Sequence, residues 1–274
     1  MQPQLAQWLP NNLPNDLLER FEQIGRLELL KEAITLNQEW LKLWPANHPK
    51  RSVVLYDLGW TLYRQFEQLG QHNDLDEAIL LHRQALELRP SPHPDRSRSL
   101  SSLAAALHMQ FCQSGQHKDL EEAISLLQEA LELQPVAHPN RSQTLFNLAF
   151  LKSTKFKQSG QSKDLEEAIS LNRAALELQP VPHPGRSSTL NNLALWLRSQ
   201  FYQTHQQMDL EEAISLLREA LELTPVAHPL RSRRLNNLAG VLRICFEDSG
   251  KPRDLEEAIL LEQEAKNLIL SASV

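Results

Sequence analysis

The chain has 274 residues, 41% of them hydrophobic and 23% charged, with a net charge of −6. This is the composition of a soluble globular protein. The mildly acidic balance argues against nucleic acid and anionic membranes as partners, since these need a Lys/Arg footprint on one face. No apolar run approaches the roughly 20 residues that cross a bilayer, so a membrane span is excluded too.

The chain opens on "MQPQLAQWLPNNLP". It has neither a basic n-region nor an apolar h-region, so no secretory signal is read and a cytoplasmic location is expected. Residues 1–48 read as an N-terminal capping segment and a truncated repeat. Pro10 and Pro14 confine its first helix to roughly Asn15–Ile24. Its second helix begins "LLKEAI" without the acidic start seen later, and Trp40 stands where every later repeat has Ala. Trp8 is expected to fold against this cap.

Full repeats follow at 49–93, 94–138, 139–183, 184–228 and 229–274, read as one continuous solenoid domain. Ile34, Ile79, Ile124, Ile169, Ile214 and Ile259 recur at a constant step of 45 residues, as do Phe21, Phe66, Phe111, Phe156, Phe201 and Phe246. A constant step means one unit stacked on copies of itself, because an inserted residue would misalign every later contact.

Each repeat holds two helical patterns. In His93–Gly115, Leu100, Leu103, Ala104, Leu107 and Phe111 recur at helical spacing. Pro94 is expected at the first helical position and Gly115 at the stop, about 19 residues or roughly 28 Å. In "DLEEAISLLQEALELQP", Asp119 is expected to cap the second helix with Glu122 three residues on, and Pro135 to end it. Asp74, Asp164, Asp209 and Asp254 repeat that start. Small residues mark close helix approach: Ala78, Ala123, Ala168, Ala213 and Ala258 early in the second helix, Ala85, Ala130, Ala175, Ala220 and Ala265 later.

"LAAAL…G…DLEEAI…EALELQP" resembles the tetratricopeptide repeat, over nearly the whole chain from about Leu17 to Leu270. The departure is the unit length, 45 residues against the family's usual 34. "LNNLA" at Leu190–Ala194 and Leu235–Ala239 is similar to kinesin-light-chain-type repeats. The pattern as a whole resembles long arrays of fungal proteins that accompany NB-ARC or CHAT domains, neither of which is in this sequence. The resemblance implies an all-α, right-handed solenoid of antiparallel helix pairs, about 5.5 repeats long, in which the first helices line a concave groove.

Counted from the small residue of each first helix (Gly59, Ala104, Ala149, Ala194, Ala239), the implied groove columns vary strongly between repeats. Three residues before it stand Tyr56, Ser101, Phe146, Asn191 and Asn236. One after it stand Trp60, Ala105, Phe150, Leu195 and Gly240. Four after it stand Tyr63, His108, Ser153, Arg198 and Arg243, and six before it Val53, Arg98, Gln143, Ser188 and Arg233. Aromatic side chains and Arg dominate binding hot spots, so Tyr56, Trp60, Tyr63, Phe146 and Phe150 are candidate anchors. Arg98, His108, Arg198, Arg233 and Arg243 are candidate polar contacts. The alternative is that some of these columns tilt inward and are core. Two before the small residue, Asn147, Asn192 and Asn237 match the Asn that holds a peptide backbone in kinesin-light-chain-type repeats. Asp57 and Ser102 break that ladder, and each Asn has the alternative of an ordinary bond to a neighbouring helix.

His93-Pro94-Asp95 spells a cochaperone tripeptide, but its counterparts are HPK, HPN, HPG and HPL, so it is a connector. The connector His recur about 10 Å apart, too far to share one metal ion at about 2 Å per ligand bond. Cys112 and Cys245 stand in different columns and are expected as free thiols in a reducing compartment. No nucleophile–base arrangement or phosphate loop appears, and no metal or cofactor is expected. The expected function is a non-enzymatic scaffold for a protein or extended peptide, with an acidic residue or C-terminal carboxylate at the Arg cluster of the last repeats (Arg198, Arg233, Arg234 and Arg243). The alternatives are a regulatory or oligomerising module of a larger CHAT or NB-ARC signalling protein, self-associating through Leu268, Ile269 and Leu270, and a small-molecule groove.

Overall fold

A computed structural model describes residues 13–271. Among them are twelve α-helices and no strand, in two compact units that meet between Pro135 and Val136 in the sequence. Trp8 and Pro10 lie outside the described residues. In the first unit α1 (Leu13–Ile24) pairs with α2 (Leu27–Leu43), α3 (Arg51–Leu69) with α4 (His72–Glu87), and α5 (Arg96–Ser114) with α6 (His117–Glu132). In the second, α7 (Arg141–Ser159) pairs with α8 (Ser162–Glu177), α9 (Arg186–Thr204) with α10 (Gln207–Glu222), and α11 (Arg231–Ser249) with α12 (Pro252–Ser271). Within each unit the second helix of a pair also packs on the first helix of the next pair: α2 on α3, α4 on α5, α8 on α9 and α10 on α11. One amphipathic pair leaves an apolar face uncovered, and the next pair covers it, which is the solenoid arrangement.

The first helices stop where the sequence places glycine. Gly70, Gly115, Gly160 and Gly250 take the left-handed conformation, and each N–H donates to the carbonyl of a Phe four residues back. Glycine reaches that conformation without a Cβ clash. In α9 the position is held by His205, at φ 53°.

Both helix starts differ from the sequence expectation. α5 begins at Arg96, two residues past Pro94. The Arg96 N–H donates to the His93 carbonyl at 3.1 Å, so Pro94 is the second residue of a turn, where its fixed φ is favoured. The His93 ring joins that turn, its Nδ1 accepting the Asp95 N–H at 3.1 Å. His48, His138, His183 and His228 do the same to the residue two further on. These imidazoles are therefore turn acceptors.

The second helices begin two residues before the expected Asp cap. α6 starts at His117, behind Gln116 in extended conformation, and Asp119 lies inside the first turn, buried. The connector N–H is satisfied by a hydroxyl at the end of the first helix: Ser114 accepts from Gln116 at 3.1 Å and Ser159 from Gln161 at 3.2 Å. Freed from capping, the Asp ties the two helices of a pair. Asp74 accepts from Gln65 at 2.9 Å and Asp209 from Thr204 at 3.1 Å. A carboxylate in a first turn also complements the helix dipole.

The orphan carbonyls at the end of each second helix go to the Arg that opens the next first helix. Arg51 donates to the Leu41 and Trp44 carbonyls (3.1 and 2.7 Å) and Arg231 to those of Leu221 and Thr224 (3.2 and 2.7 Å). Arg96 reaches the Arg89 carbonyl at 2.9 Å and also pairs with Glu129 at 2.6 Å. On the second helices Arg83–Glu122, Arg173–Glu212 and Arg218–Glu257 form rungs between successive pairs.

The small columns are sealed: Ala78, Ala123, Ala168, Ala213 and Ala258 are fully buried. Trp40 is buried in its Ala column and stacks on Trp44, which stacks on His48. On α12, Leu268 packs against the second unit's core, while Ile269 and Leu270 are exposed. No described helix is long and apolar enough to cross a membrane.

Candidate functional site

In the first unit the aromatic candidates are packed away. Tyr56 and Tyr63 are buried, at 5% and 8% exposure. The Tyr56 hydroxyl meets Ser102 Oγ at 2.9 Å and accepts from Arg98 Nε at 3.0 Å. The guanidiniums of Arg98 and Arg89 lie 4.5 and 5.1 Å from its ring centre. Trp60 stacks on Tyr63 and packs against Leu18, Phe21 and Leu30. His108 is half-buried with Nε2 3.5 Å from Cys112 Sγ, and burial lowers its proton affinity. Arg98 is thus engaged by Tyr56, with Asp57 beside it as the next carboxylate.

In the second unit the same columns are open at Phe146, Asn147, Phe150 and Asn192 and closed at Asn191 and Ser153. Phe146, Asn147 and Phe150 of α7, Ser188, Asn191 and Asn192 of α9, and Arg233 and Arg234 of α11 line one recess of about 420 Å³. That volume lies in the range of ligand pockets. Phe150 is 39% exposed, a large apolar side chain left at a surface. The three Asn candidates differ in how they are used. Asn147 accepts from Gln143 at 2.8 Å, and Asn237 donates to Asn191 at 2.9 Å. The Asn192 side chain makes no hydrogen bond among the described residues and lines the recess.

The cations differ as well. Arg243 is held by Glu262 through two bonds of 2.8 Å, and Arg198 is half-buried, its Nη1 against Gly240. Arg233 is exposed at the recess. Arg234 is 3% exposed, and donates to Thr224 Oγ1 and, at 3.2 Å, to Ser188 Oγ. Both partners are neutral. Burial first, then Arg233 beside it, make Arg234 easier to deprotonate than an ordinary guanidinium. No acidic side chain lines the recess.

Arg234 belongs to the Arg cluster read in the last repeats, although its column was not among the groove columns. Its counterparts Val54, Ser99, Thr144 and Thr189 are all buried and smaller. An Arg in a column of small residues was the available signal. The column it faces reads Arg89, Gln134, Gln179 and Thr224, and the fit is reciprocal. Arg89 donates across to Ser99 at 2.7 Å, whereas Arg234 donates back to Thr224. A second recess of about 430 Å³ beside α8 includes Glu166, Glu177 and Arg173, and Arg173 is paired with Glu212. Both thiols are free, and no described cluster of His, Cys, Asp and Glu is fit to hold a metal.

No family model matches this sequence, and no curated protein matches it. Solved structures do. BtubC (BKLC) from P. vanneervenii aligns with a TM-score of 0.61 at 18% identity over 89% of each chain. The nearly identical TPR-like repeats of a Podosopora anserina protein of kinesin-light-chain type align at 0.57 and 21% identity, over 82% of this chain and 98% of that one. TTC0263, a thermophilic TPR protein of Thermus thermophilus, aligns at 0.55 and 18% identity, over 82% and 98%. With helices paired and stacked in sequence order within each unit, the chain has the fold of the tetratricopeptide-like repeat proteins.

Proposed function

We propose that the chain is a non-enzymatic protein-interaction scaffold that takes an extended peptide segment along α7, α9 and α11. The recess of the second unit carries this reading. It sets two aromatic rings, an uncommitted amide and two guanidiniums without a carboxylate at one opening. An amide donates and accepts together, so Asn192 can hold a peptide backbone without reading its sequence. Phe146 and Phe150 take an apolar side chain, and Arg233 with Arg234 an acidic side chain or a terminal carboxylate.

Selection of displayed random dodecapeptides on the folded chain tests this. Enriched peptides are expected to pair an acidic with an apolar residue and to lose binding at least about tenfold on Phe150→Ala or Asn192→Ala, a loss of about 1.4 kcal/mol. Enriched peptides indifferent to both changes would place binding elsewhere.

A second reading is favoured by α12. Ile259 is 41% exposed where its counterparts Ile79, Ile124 and Ile169 are buried, and Leu260 beside it is 65% exposed. A second copy of the chain covers this face in that reading. Sedimentation of wild type against Leu260→Lys decides it: a mass that stays monomeric at high concentration ends the reading.

A further inference from the structure

The recess is unbalanced in charge, and the first unit shows what balance looks like. There Arg98, in the column of Arg233, is engaged by Tyr56 and stands beside Asp57. In the second unit Tyr56 is replaced by Asn191 and Asp57 by Asn192, so both compensating groups are gone. The cations remain, because Arg234 fills from the opposite column the space that Arg89 fills beside Tyr56 in the first unit. Both guanidiniums also issue from the first turn of α11, which holds no acid. The helix dipole is positive there, so Arg233 and Arg234, which lack the carboxylate that Arg231 finds in Glu264, work against the helix. Departures from a local rule mark functional places when nothing nearby offsets them. The missing element is negative charge, at an opening where two guanidiniums meet.

Resting on the peptide reading above, we propose that the recess recognises a phosphorylated side chain of a partner protein. The phosphate sits between Arg233 and Arg234, and the residue beside it lies on Phe146 and Phe150. A phosphoryl group carries about −1.5 to −2 charges at neutral pH and three acceptor oxygens. A Glu or a chain terminus brings one charge and satisfies one guanidinium. The dianion satisfies both, with the Ser188 hydroxyl and the Asn192 amide at the same opening as further donors. The side chains that line the recess bring no acid to repel it.

The test uses the full chain and three fluorescent degenerate dodecapeptide pools, identical except for a central phosphoserine, Glu or Ser. Fluorescence anisotropy is expected to show the phosphoserine pool binding at least about tenfold tighter than the Glu pool, with the Ser pool weakest. Arg233→Gln is expected to erase the phosphoserine advantage. Asn192→Asp, which keeps both Arg and adds a negative charge, is expected to weaken the phosphoserine pool more than the Ser pool. Circular dichroism checks that each variant is folded. Equal binding of the phosphoserine and Glu pools overturns the phosphate while leaving peptide binding in place. Failure of all three pools overturns both readings. Competition with inorganic phosphate separates the sources: if it displaces the pool as well as an equal concentration of phosphoserine peptide does, the site holds a free anion and the proposal fails.

Discussion

Gly59 of α3 faces His82 of α4, and the two should behave as a coupled pair. A Cβ built on Gly59 meets two His82 ring atoms at 3.1 Å and the Ala78 carbonyl at 3.2 Å. Ordinary contact begins about 0.3 Å further out. Overpacking of this kind costs about 1–3 kcal/mol, and the helix propensity of Ala over Gly returns about 1. Gly59→Ala alone is therefore expected to destabilise by up to about 2 kcal/mol. His82 is itself poorly satisfied: it is fully buried, and neither ring nitrogen has a hydrogen-bond partner. A buried unpaired donor costs about 1–3 kcal/mol, so His82→Leu is expected to stabilise by a similar amount. The same two columns hold Ala104 with Leu127 and Ala194 with Leu217, all buried. The double variant rebuilds that pair, so in the His82→Leu background Gly59→Ala should turn from harmful to helpful. Urea unfolding of the four proteins, followed by the fluorescence of Trp60 beside this site, gives the coupling energy. A value near or above about 1 kcal/mol is expected, and simple additivity would refute the steric account.

Acid titration should expose two opposed groups in the same unit. Burial raises the Asp57 carboxyl to about 6, against the pull of Arg98, Asn15 and Arg89. The folded state then takes the proton first, so Asp57 adds stability as pH falls from about 6 towards about 4. Burial lowers His82 to about 4, so the unfolded state takes that proton first and stability is lost as pH falls from 6.5. Each spans up to about 3 kcal/mol at ~1.4 kcal/mol per pH unit. Asp57→Asn should steepen the acid loss of the first unit and His82→Leu should flatten it; parallel curves for both would refute the assignment. His205→Gly should stabilise α9 by about 0.5–1 kcal/mol, because it removes a side chain from the left-handed region. Its edge contact with Phe201 sets the lower end, and slower hydrogen exchange at the end of α9 is the readout. Arg218→Ala should change stability by less than about 1 kcal/mol, since the Arg218–Glu257 pair is solvent-exposed; a larger loss in thermal unfolding would mean that the rungs act as a network.

The helix pairing was legible because it rests on local chemistry repeated in every copy. The apolar stripe, the glycine after most first helices and the proline after the first five second helices are read within one turn of where they act. Helix starts were less legible. The turn made by His93 and Pro94 and the hydroxyl of Ser114 do work that a side-chain cap would otherwise do, and both act from outside the helices they start. Cap and first-turn residues alone therefore placed the start of the first helix two residues too early and that of the second three residues too late.

The site columns show where sequence stops and tertiary structure decides. Tyr56 and Phe146 occupy one column, yet Tyr56 is buried under Arg89 and Arg98 while Phe146 is half open to a recess. Periodicity puts both on the same face of the same kind of helix. What differs is the neighbour 42 residues on for Tyr56, an Arg whose Nε reaches back to its hydroxyl. The residue 42 on from Phe146 is Ser188, too short to cover the ring, and Arg233, 42 residues after Asn191, meets no phenol and is exposed at the recess. The repeat thus dictated the scaffold by itself, because every copy makes the same nearest-neighbour contacts. The recess exists only through pairings between particular residues of three successive first helices, which no single copy of the repeat contains.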